Sequence, residues 1–247
     1  MKKTTRKRLD LLLVERGLAE TRQKASAMIL AGEVSVENQR VNKAGAAIPE
    51  DARIEVSSRI QKYASRGGLK LEGALQVFQI DVAKKICLDL GSSTGGFTDC
   101  LLQHGAARVF AVDVTTNQLA WKLQQDPRVL RIEKNARELQ PTDISEPAEL
   151  VVADLSFISV TKVLPAAVGA AQAGAEFLIL VKPQFELRRE DVGPGGIVRE
   201  KELHLRATES VRRAAEAADL QVLGLQPSRL TGAEGNQEYF LHARKRA

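Results

Sequence analysis

The sequence is poor in the features that mark secreted, membrane-spanning and metal-bound proteins. Its 247 residues include two cysteines, Cys87 and Cys100, and three histidines. The two cysteines lack metal-ligand spacing and a histidine cluster, so we expect no metal site. We expect both to be reduced and buried in the protein core as small apolar residues. No run of about 18 apolar residues occurs, and no apolar core follows the basic N-terminus. We therefore expect a cytoplasmic protein without stable membrane insertion.

Charge is unevenly distributed along a chain of globular composition, which is 44% hydrophobic and 27% charged. Residues 1–66 hold 14 Lys and Arg against 8 Asp and Glu, whereas the remainder is close to neutral. A basic N-terminal region on a neutral body indicates nucleic acid or an anionic surface as the partner. A basic tail that only improves solubility explains the charge equally well.

Residues 8–57 have the pattern of a small α-then-β module. "RLDLLLVERG" predicts a helix that ends at Gly17, and Thr21 can cap a second helix, "TRQKASAMIL". "EVSVENQRVNK" alternates as a hairpin about Asn38 and Gln39. This order resembles the S4-type RNA-binding domain, which would bind structured RNA through its cations; a protein-interaction or membrane-touching module is the alternative. The cations that match are Arg8, Arg22, Lys24, Arg40 and Lys43.

The rest of the chain alternates between apolar strands and helical segments. The strands are "ICLDL", "RVFAV", "VLRIE", "LVVAD" and "FLILV", with helices near 96–104, 117–124 and 161–171. This alternation predicts a mostly parallel sheet with helices on both faces. After a helix near 202–217, "QVLGLQ" and "QEYFLHARK" predict an antiparallel edge strand. We expect an RNA-binding domain at 1–60, a basic linker at 61–66 and an α/β domain at 67–247.

The stretch "LDLGSSTGGFTDCLL" predicts a nucleoside-binding turn between a strand and a helix. Gly91 allows a tight turn, and Asp113 ends the next strand, where its carboxylate can hold ribose hydroxyls. The spacing G-x-x-x-G-G differs from the dinucleotide pattern, and Asp89 would repel phosphates but attract an ammonium group. S-adenosylmethionine has a ribose and an amino group but no phosphate, so it fits; a purely structural turn is the alternative.

This turn resembles the first motif of Rossmann-like methyltransferases, whose last strand is also antiparallel. Asn135, just after the third strand, and Ala136 lie where this fold contacts adenine. The cofactor-binding residues that the turn and the resemblance imply are Asp89, Gly91, Ser92, Thr94, Gly95, Gly96, Phe97, Asp113, Val114, Asn135, Ala136 and Asp154.

Asp154 and Lys182 each end an apolar strand, as in "FLILVKPQFE". Open α/β sheets bind ligands at these strand ends, although a solvated strand end is the common alternative. A ribose hydroxyl is a weak acid; an ammonium beside it stabilises the developing oxyanion, and a neutral lysine accepts its proton. Lys70 could be a second cation that favours the neutral amine, and Glu238 a second orienting carboxylate.

Lys70, Asp154, Lys182 and Glu238 follow the order of the Lys-Asp-Lys-Glu tetrad of FtsJ-class ribose 2′-O-methyltransferases. With "SRGGLKLEGAL", "VVADLSFIS" and "GNQEYFL" after an S4-type domain, the chain resembles the TlyA family, whose members are named hemolysins or ribosomal-RNA cytidine 2′-O-methyltransferases. The resemblance implies that Lys182 is the base or oxyanion stabiliser, oriented by Asp154 and Glu238, and that Lys70 positions the ribose or tunes the pKa of Lys182. It implies ribosomal RNA or ribosomal subunits as partners. Further expected RNA contacts are Arg66, Arg188, Arg189 and Arg199, although a solvated loop explains the last three equally well.

Two other functions are compatible with the sequence. A membrane-lytic protein would need an exposed amphipathic helix, and the sequence supplies no strong candidate. A non-catalytic RNA-binding protein would not need the four tetrad residues together.

Overall fold

The computed structural model describes residues 5–30, 32–37, 39–56, 62–232 and 234–247. Contacts divide the chain into two compact units, Met1–Gln61 and Lys62–Ala247. Residues 62–66, which we predicted to be linker, pack inside the second unit. The Tyr63 side chain is buried there, and the Ala64 N–H donates to Asp99 at 2.7 Å. The basic composition of this segment gave no sign that Tyr63 is buried in the second unit.

The first unit packs two helices against short antiparallel strands. Thr21 caps the second helix as predicted, because its Oγ1 accepts a hydrogen bond from the Lys24 N–H (3.1 Å). The predicted hairpin is present, with Val36 paired to Gln39, while Asn38 lies outside the described residues. The elements are β1 (Arg6–Arg8), α1 (Leu9–Glu15), α2 (Arg22–Leu30), β2 (Val34–Val36), β3 (Gln39–Arg40), β4 (Ala47–Pro49) and β5 (Ile54–Val56).

The second unit is a seven-stranded sheet with a core on each face. Its strands are β6 (Ile86–Leu90), β7 (Arg108–Asp113), β8 (Val129–Glu133), β9 (Ala148–Ala153), β10 (Ala171–Val181), β11 (Leu220–Pro227) and β12 (Tyr239–Lys245). Its helices are α3 (Gly67–Phe78), α4 (Gly96–Gln103), α5 (Trp121–Gln124), α6 (Leu164–Gly169), α7 (Pro183–Glu186) and α8 (Lys201–Ala217).

The strand order is β11-β12-β10-β9-β6-β7-β8, in which β10 to β8 are parallel and β12 is antiparallel to both neighbours. The predicted Rossmann-like methyltransferase sheet with an antiparallel last strand is thus confirmed. The antiparallel strand is not at the edge, however, because β11 covers its outer side. The carboxyl ends of β6, β7, β9 and β10 meet at one edge of the sheet, which positions the site described below.

Two segments differ from the predicted elements. The helix expected near 117–124 is only a short turn at Thr116–Gln118 followed by α5. The helix expected near 161–171 ends at Gly169, and β10 begins at Ala171, six residues before the apolar run that predicted it. Alanine and glycine in "AAQAGAEF" carry little strand signal, so pairing with β9 decides the boundary.

Cys87 and Cys100 are free and buried, as predicted. Within the described ranges, no helix combines the length and the apolar composition that crossing a membrane requires.

Candidate active site at the carboxyl edge of the sheet

The glycine turn after β6 brings two strand ends together. Gly91 has a φ of +85°, and a Cβ there would lie 2.6 Å from the Asp154 carbonyl oxygen. Any side chain at this position would separate the turn from the end of β9. Gly95 also has a positive φ, +93°, and a Cβ there would lie 2.2 Å from Leu123 Cδ1. The turn therefore needs glycine for close approach at Gly91.

A cleft of about 1090 Å³ opens beside this turn. Asp113 lies on its wall, and its carboxylate accepts backbone N–H groups of Ser93 (2.9 Å) and Thr115 (3.1 Å), which fix its orientation. Each oxygen keeps a lone pair for a ribose hydroxyl. The predicted cofactor residues that line this cleft are Gly91, Asp113, Val114, Asn135, Ala136 and Asp154.

A smaller cavity of about 220 Å³ adjoins the cleft and shares Gly91, Ser93, Asp154 and Ser156 with it. Four residues that we assigned to the cofactor line this cavity rather than the cleft: Ser92, Thr94, Gly96 and Phe97. Arg66, Lys70 and Lys182 line the same cavity. Three of the four catalytic candidates, Lys70, Asp154 and Lys182, therefore share one small space with the glycine turn.

Asp89 and Gly95 line neither space. Asp89 is fully buried below the turn, where Thr98 Oγ1 donates to its Oδ2 at 2.6 Å. Burial raises the pKa of Asp89 to about 7, against the opposing hydrogen bond from Thr98. Its Oδ1 is buried without a hydrogen-bond partner among the described residues, and a contact between Asp89 and the cofactor's amino group stays a prediction. The side chain points under α4, and sequence alone did not indicate that direction.

The four tetrad residues form two ion pairs. Lys182 Nζ lies 2.6 Å from Asp154 Oδ1 and donates a hydrogen bond to Ser156 Oγ at 2.9 Å. Lys70 Nζ donates to Glu238 Oε2 at 2.5 Å, and both side chains are almost fully buried. We expected Glu238 to orient Lys182, but the ion pair it forms is with Lys70. Lys182 is thus held by Asp154 and by a serine.

The predicted RNA-binding cations are dispersed. Arg188 and Arg189 line the cleft, and Arg66 lines the smaller cavity and donates to the Thr231 carbonyl oxygen at 3.3 Å. In the first unit Lys24 pairs with Glu20. Arg40 and Lys43 are exposed, and Arg8 and Arg22 share one buried carboxylate, Asp10.

Two residues near the site were missed by sequence reasoning. Ser156 contacts the Lys182 amine, as described above. Phe157 lines the cleft with its side chain 94% exposed and a φ of +65°, and its ring centroid lies 5.4 Å from that of Phe185. An exposed aromatic residue with positive φ is unusual. Both residues stand in "DLSF" directly after the predicted Asp154, which was the available signal.

The residues present fit S-adenosylmethionine. Asp113 is fixed for a ribose, and Asn135, whose Oδ1 caps the Arg137 N–H (3.1 Å), borders the same cleft. The Ser92 hydroxyl is buried without a partner among the residues the structure covers. The strand order, the glycine turn and the aspartate that ends β7 define the class of S-adenosylmethionine-dependent methyltransferases with a Rossmann-like fold.

Comparison with known proteins agrees with this class. A model of the FtsJ-like methyltransferase family matches residues 63–245, and one of the S4 domain matches residues 7–54. The 16S/23S rRNA (cytidine-2′-O)-methyltransferase TlyA of Mycobacterium tuberculosis is 47% identical, over 97% of this chain and 90% of its own. Hemolysin A of Brachyspira hyodysenteriae is 42% identical, over 95% of this chain and 98% of its own.

A solved structure of a hemolysin-named protein from Streptococcus thermophilus superposes with a TM-score of 0.77 and 41% identity, covering 98% of this chain and 90% of that one. The chain belongs to the TlyA family, in which an S4 domain precedes an FtsJ-like methyltransferase domain.

Proposed function

We propose that this protein transfers a methyl group from S-adenosylmethionine to a ribose 2′-hydroxyl of ribosomal RNA, at a cytidine. The observation that carries the proposal is the Lys182 amine, held by Asp154 (2.6 Å) and Ser156 (2.9 Å) where the small cavity meets the cleft. The printed activity of the tuberculosis relative supports cytidine and ribosomal RNA as the substrate.

Lys182 is the residue proposed to act on the hydroxyl. An ammonium has three N–H donors. One of them donates to Ser156 Oγ, and Asp154 holds the nitrogen as an ion pair at 2.6 Å. In the charged state a remaining N–H would donate to a 2′-hydroxyl in the cavity and stabilise the developing oxyanion. In the neutral state the nitrogen's lone pair would instead accept the hydroxyl proton. The bound cofactor supplies a methyl group on a sulfonium, an electrophile that a hydroxyl oxygen can attack.

Lys70 and Glu238 are proposed to position the ribose. Lys70 lines the small cavity, whereas Glu238 lies behind it and neutralises the buried ammonium. A paired lysine can donate to a sugar oxygen without leaving an isolated charge in the core. This role differs from the orienting role that the sequence suggested for Glu238.

The exposed ring of Phe157 offers a stacking surface for an unpaired base at the mouth of the cleft, which suits single-stranded RNA segments. Arg188 and Arg189 on the same cleft are proposed to bind phosphates. Because the substrate is ribosomal RNA, we propose that the protein acts in the cytoplasm on ribosomal subunits. The S4-type domain, proposed as residues 1–60, would supply further affinity.

Methylation with a methyl-labelled cofactor tests this function. Separated small and large subunits, each as particles and as naked RNA, are treated with the protein and digested to nucleosides. Label is expected in 2′-O-methylcytidine, and the modified phosphodiester should resist alkali because its 2′-oxygen is blocked. Label on a base, or no incorporation into either subunit, would refute the proposed function.

A further inference from the structure

One carboxylate in the first unit is buried among cations. The Asp10 side chain is only 2% exposed, although it lies in the first turn of a short helix on a small domain. The carboxylate receives four N–H groups. Its Oδ1 accepts from Leu11 N (3.0 Å) and Arg8 Nε (3.0 Å), and its Oδ2 accepts from Arg8 Nη2 (2.8 Å) and Arg22 Nε (2.9 Å).

These hydrogen bonds fix two arginines that remain open to solvent. The Arg8 and Arg22 side chains are 48% and 57% exposed. Arg8 uses one edge of its guanidinium and Arg22 only its Nε, so each retains N–H groups that can donate. In the described part of the chain these groups make no further hydrogen bond. Two cations around one anion leave a net positive charge with both guanidiniums held in place.

Other ion pairs in this unit are of a different kind. Lys7 pairs with Glu15 (3.0 Å) and Glu50 (3.1 Å), and all three side chains are at least 39% exposed. Such solvated pairs hold a side chain weakly. A buried carboxylate instead loses its hydration and must be compensated by its partners, so it constrains them strongly. Bonds to Arg8 and Arg22 hold the pKa of Asp10 well below its usual range, although burial opposes them.

We infer that Asp10 is a positioning residue for RNA binding, which holds the Arg8 and Arg22 guanidiniums in the orientation that accepts RNA phosphates. The inference rests on the proposed function, because it takes RNA as the partner of this unit. Asp10 does not touch the RNA in this account. It removes the need to order two flexible side chains when a phosphate arrives, which improves affinity without adding a contact.

Net charge and positioning predict opposite effects, which makes the inference testable. Asp10→Asn and Glu15→Gln each remove one negative charge from the same helix of the full-length protein. If charge alone matters, both variants bind the polyanion more tightly. If Asp10 positions the arginines, Asp10→Asn weakens RNA binding, whereas Glu15→Gln does not.

The measurement is steady-state methylation of whichever ribosomal subunit the wild-type protein modifies, at several salt concentrations. For Asp10→Asn we expect KM for the subunit to rise about tenfold, with kcat and cofactor affinity unchanged. The slope of log KM against the logarithm of the salt concentration should decrease by about one to two, because Arg8 and Arg22 no longer bind their phosphates. Glu15→Gln should stay within about twofold of wild type. Tighter binding by Asp10→Asn would overturn the inference.

A second pair of variants covers the case in which Asp10→Asn unfolds this unit, which circular dichroism and thermal melting would reveal. Arg8→Lys and Arg22→Lys keep the charge but lose the planar guanidinium that Asp10 orients. We expect KM for the subunit to rise several-fold in each with the melting transition retained. Wild-type KM in both would overturn the inference, whereas failure of the wild-type protein to methylate either subunit would refute the proposed function instead.

Discussion

The buried Lys70–Glu238 pair gives the sharpest prediction about why the site is built as it is. The two side chains are 10% and 3% exposed and meet at 2.5 Å. Glu238→Gln leaves the Lys70 ammonium buried without a counter-charge, which costs about 3–5 kcal/mol of unfolding free energy. At about 2–4 °C per kcal/mol for a domain of this size, Tm should fall by about 10 °C. Turnover should be lost as well.

The double variant Lys70→Met, Glu238→Leu separates stability from function. Replacing a buried ion pair by apolar residues of similar volume is neutral or stabilising, so its Tm should return to about the wild-type value or above. Turnover should remain absent, because Lys70 lines the catalytic cavity. Glu209→Gln is the control, since Glu209 pairs with Arg212 and Arg213 on the surface and its replacement should leave Tm nearly unchanged. A double variant that methylates RNA normally would refute the role of this pair.

Three further predictions concern single residues around the turn. The pKa of Asp89 is about 7 in the folded protein, against an ordinary value of 3.8, so the folded state loses stability as the pH rises. Between pH 4 and pH 8 the unfolding free energy of the wild type should decline by about 4 kcal/mol relative to that of Asp89→Asn. Unfolding free energies from denaturant titration that change with pH equally in both proteins would contradict this. Ser156→Ala should lower kcat about tenfold with KM unchanged, and Ser156→Thr should restore it, because the hydrogen bond to Lys182 is lost and then regained. Phe157→Ala should raise KM for RNA about tenfold or more by loss of stacking, without changing cofactor affinity in a calorimetric titration.

Sequence reasoning found the strand ends of this site but not the interactions between them. Asp154 and Lys182 were predictable because each closes an apolar run whose neighbours in a parallel sheet end at the same edge. The partner of Glu238 was not, because Lys70 lies 168 residues away and no local pattern links the two. Ser156 stands in a loop, where a polar residue is expected whatever its role.

The direction in which a side chain points was also not predictable from the sequence. Asp89 has the residue type and position of a cofactor ligand, but it points under α4 toward Thr98. From sequence, Arg8 and Arg22 could be interpreted only as two positive charges, because no periodicity indicates that Asp10 is buried between them. In the same way, the basic composition of the predicted linker gave no sign that Tyr63 is buried and that residues 62–66 belong to the second unit. Each case depends on packing that residue type alone does not specify.

Replacement of Lys182 tests the central claim most directly. Lys182→Ala removes the amine that Asp154 and Ser156 hold, while Asp113 and the cofactor cleft stay intact. Single-turnover methylation of the ribosomal subunit should slow by about 10²–10⁴-fold, the range for a positioned proton acceptor, with cofactor binding nearly unchanged by calorimetry. A Lys182→Ala protein that methylates RNA within about threefold of the wild-type rate would contradict the account.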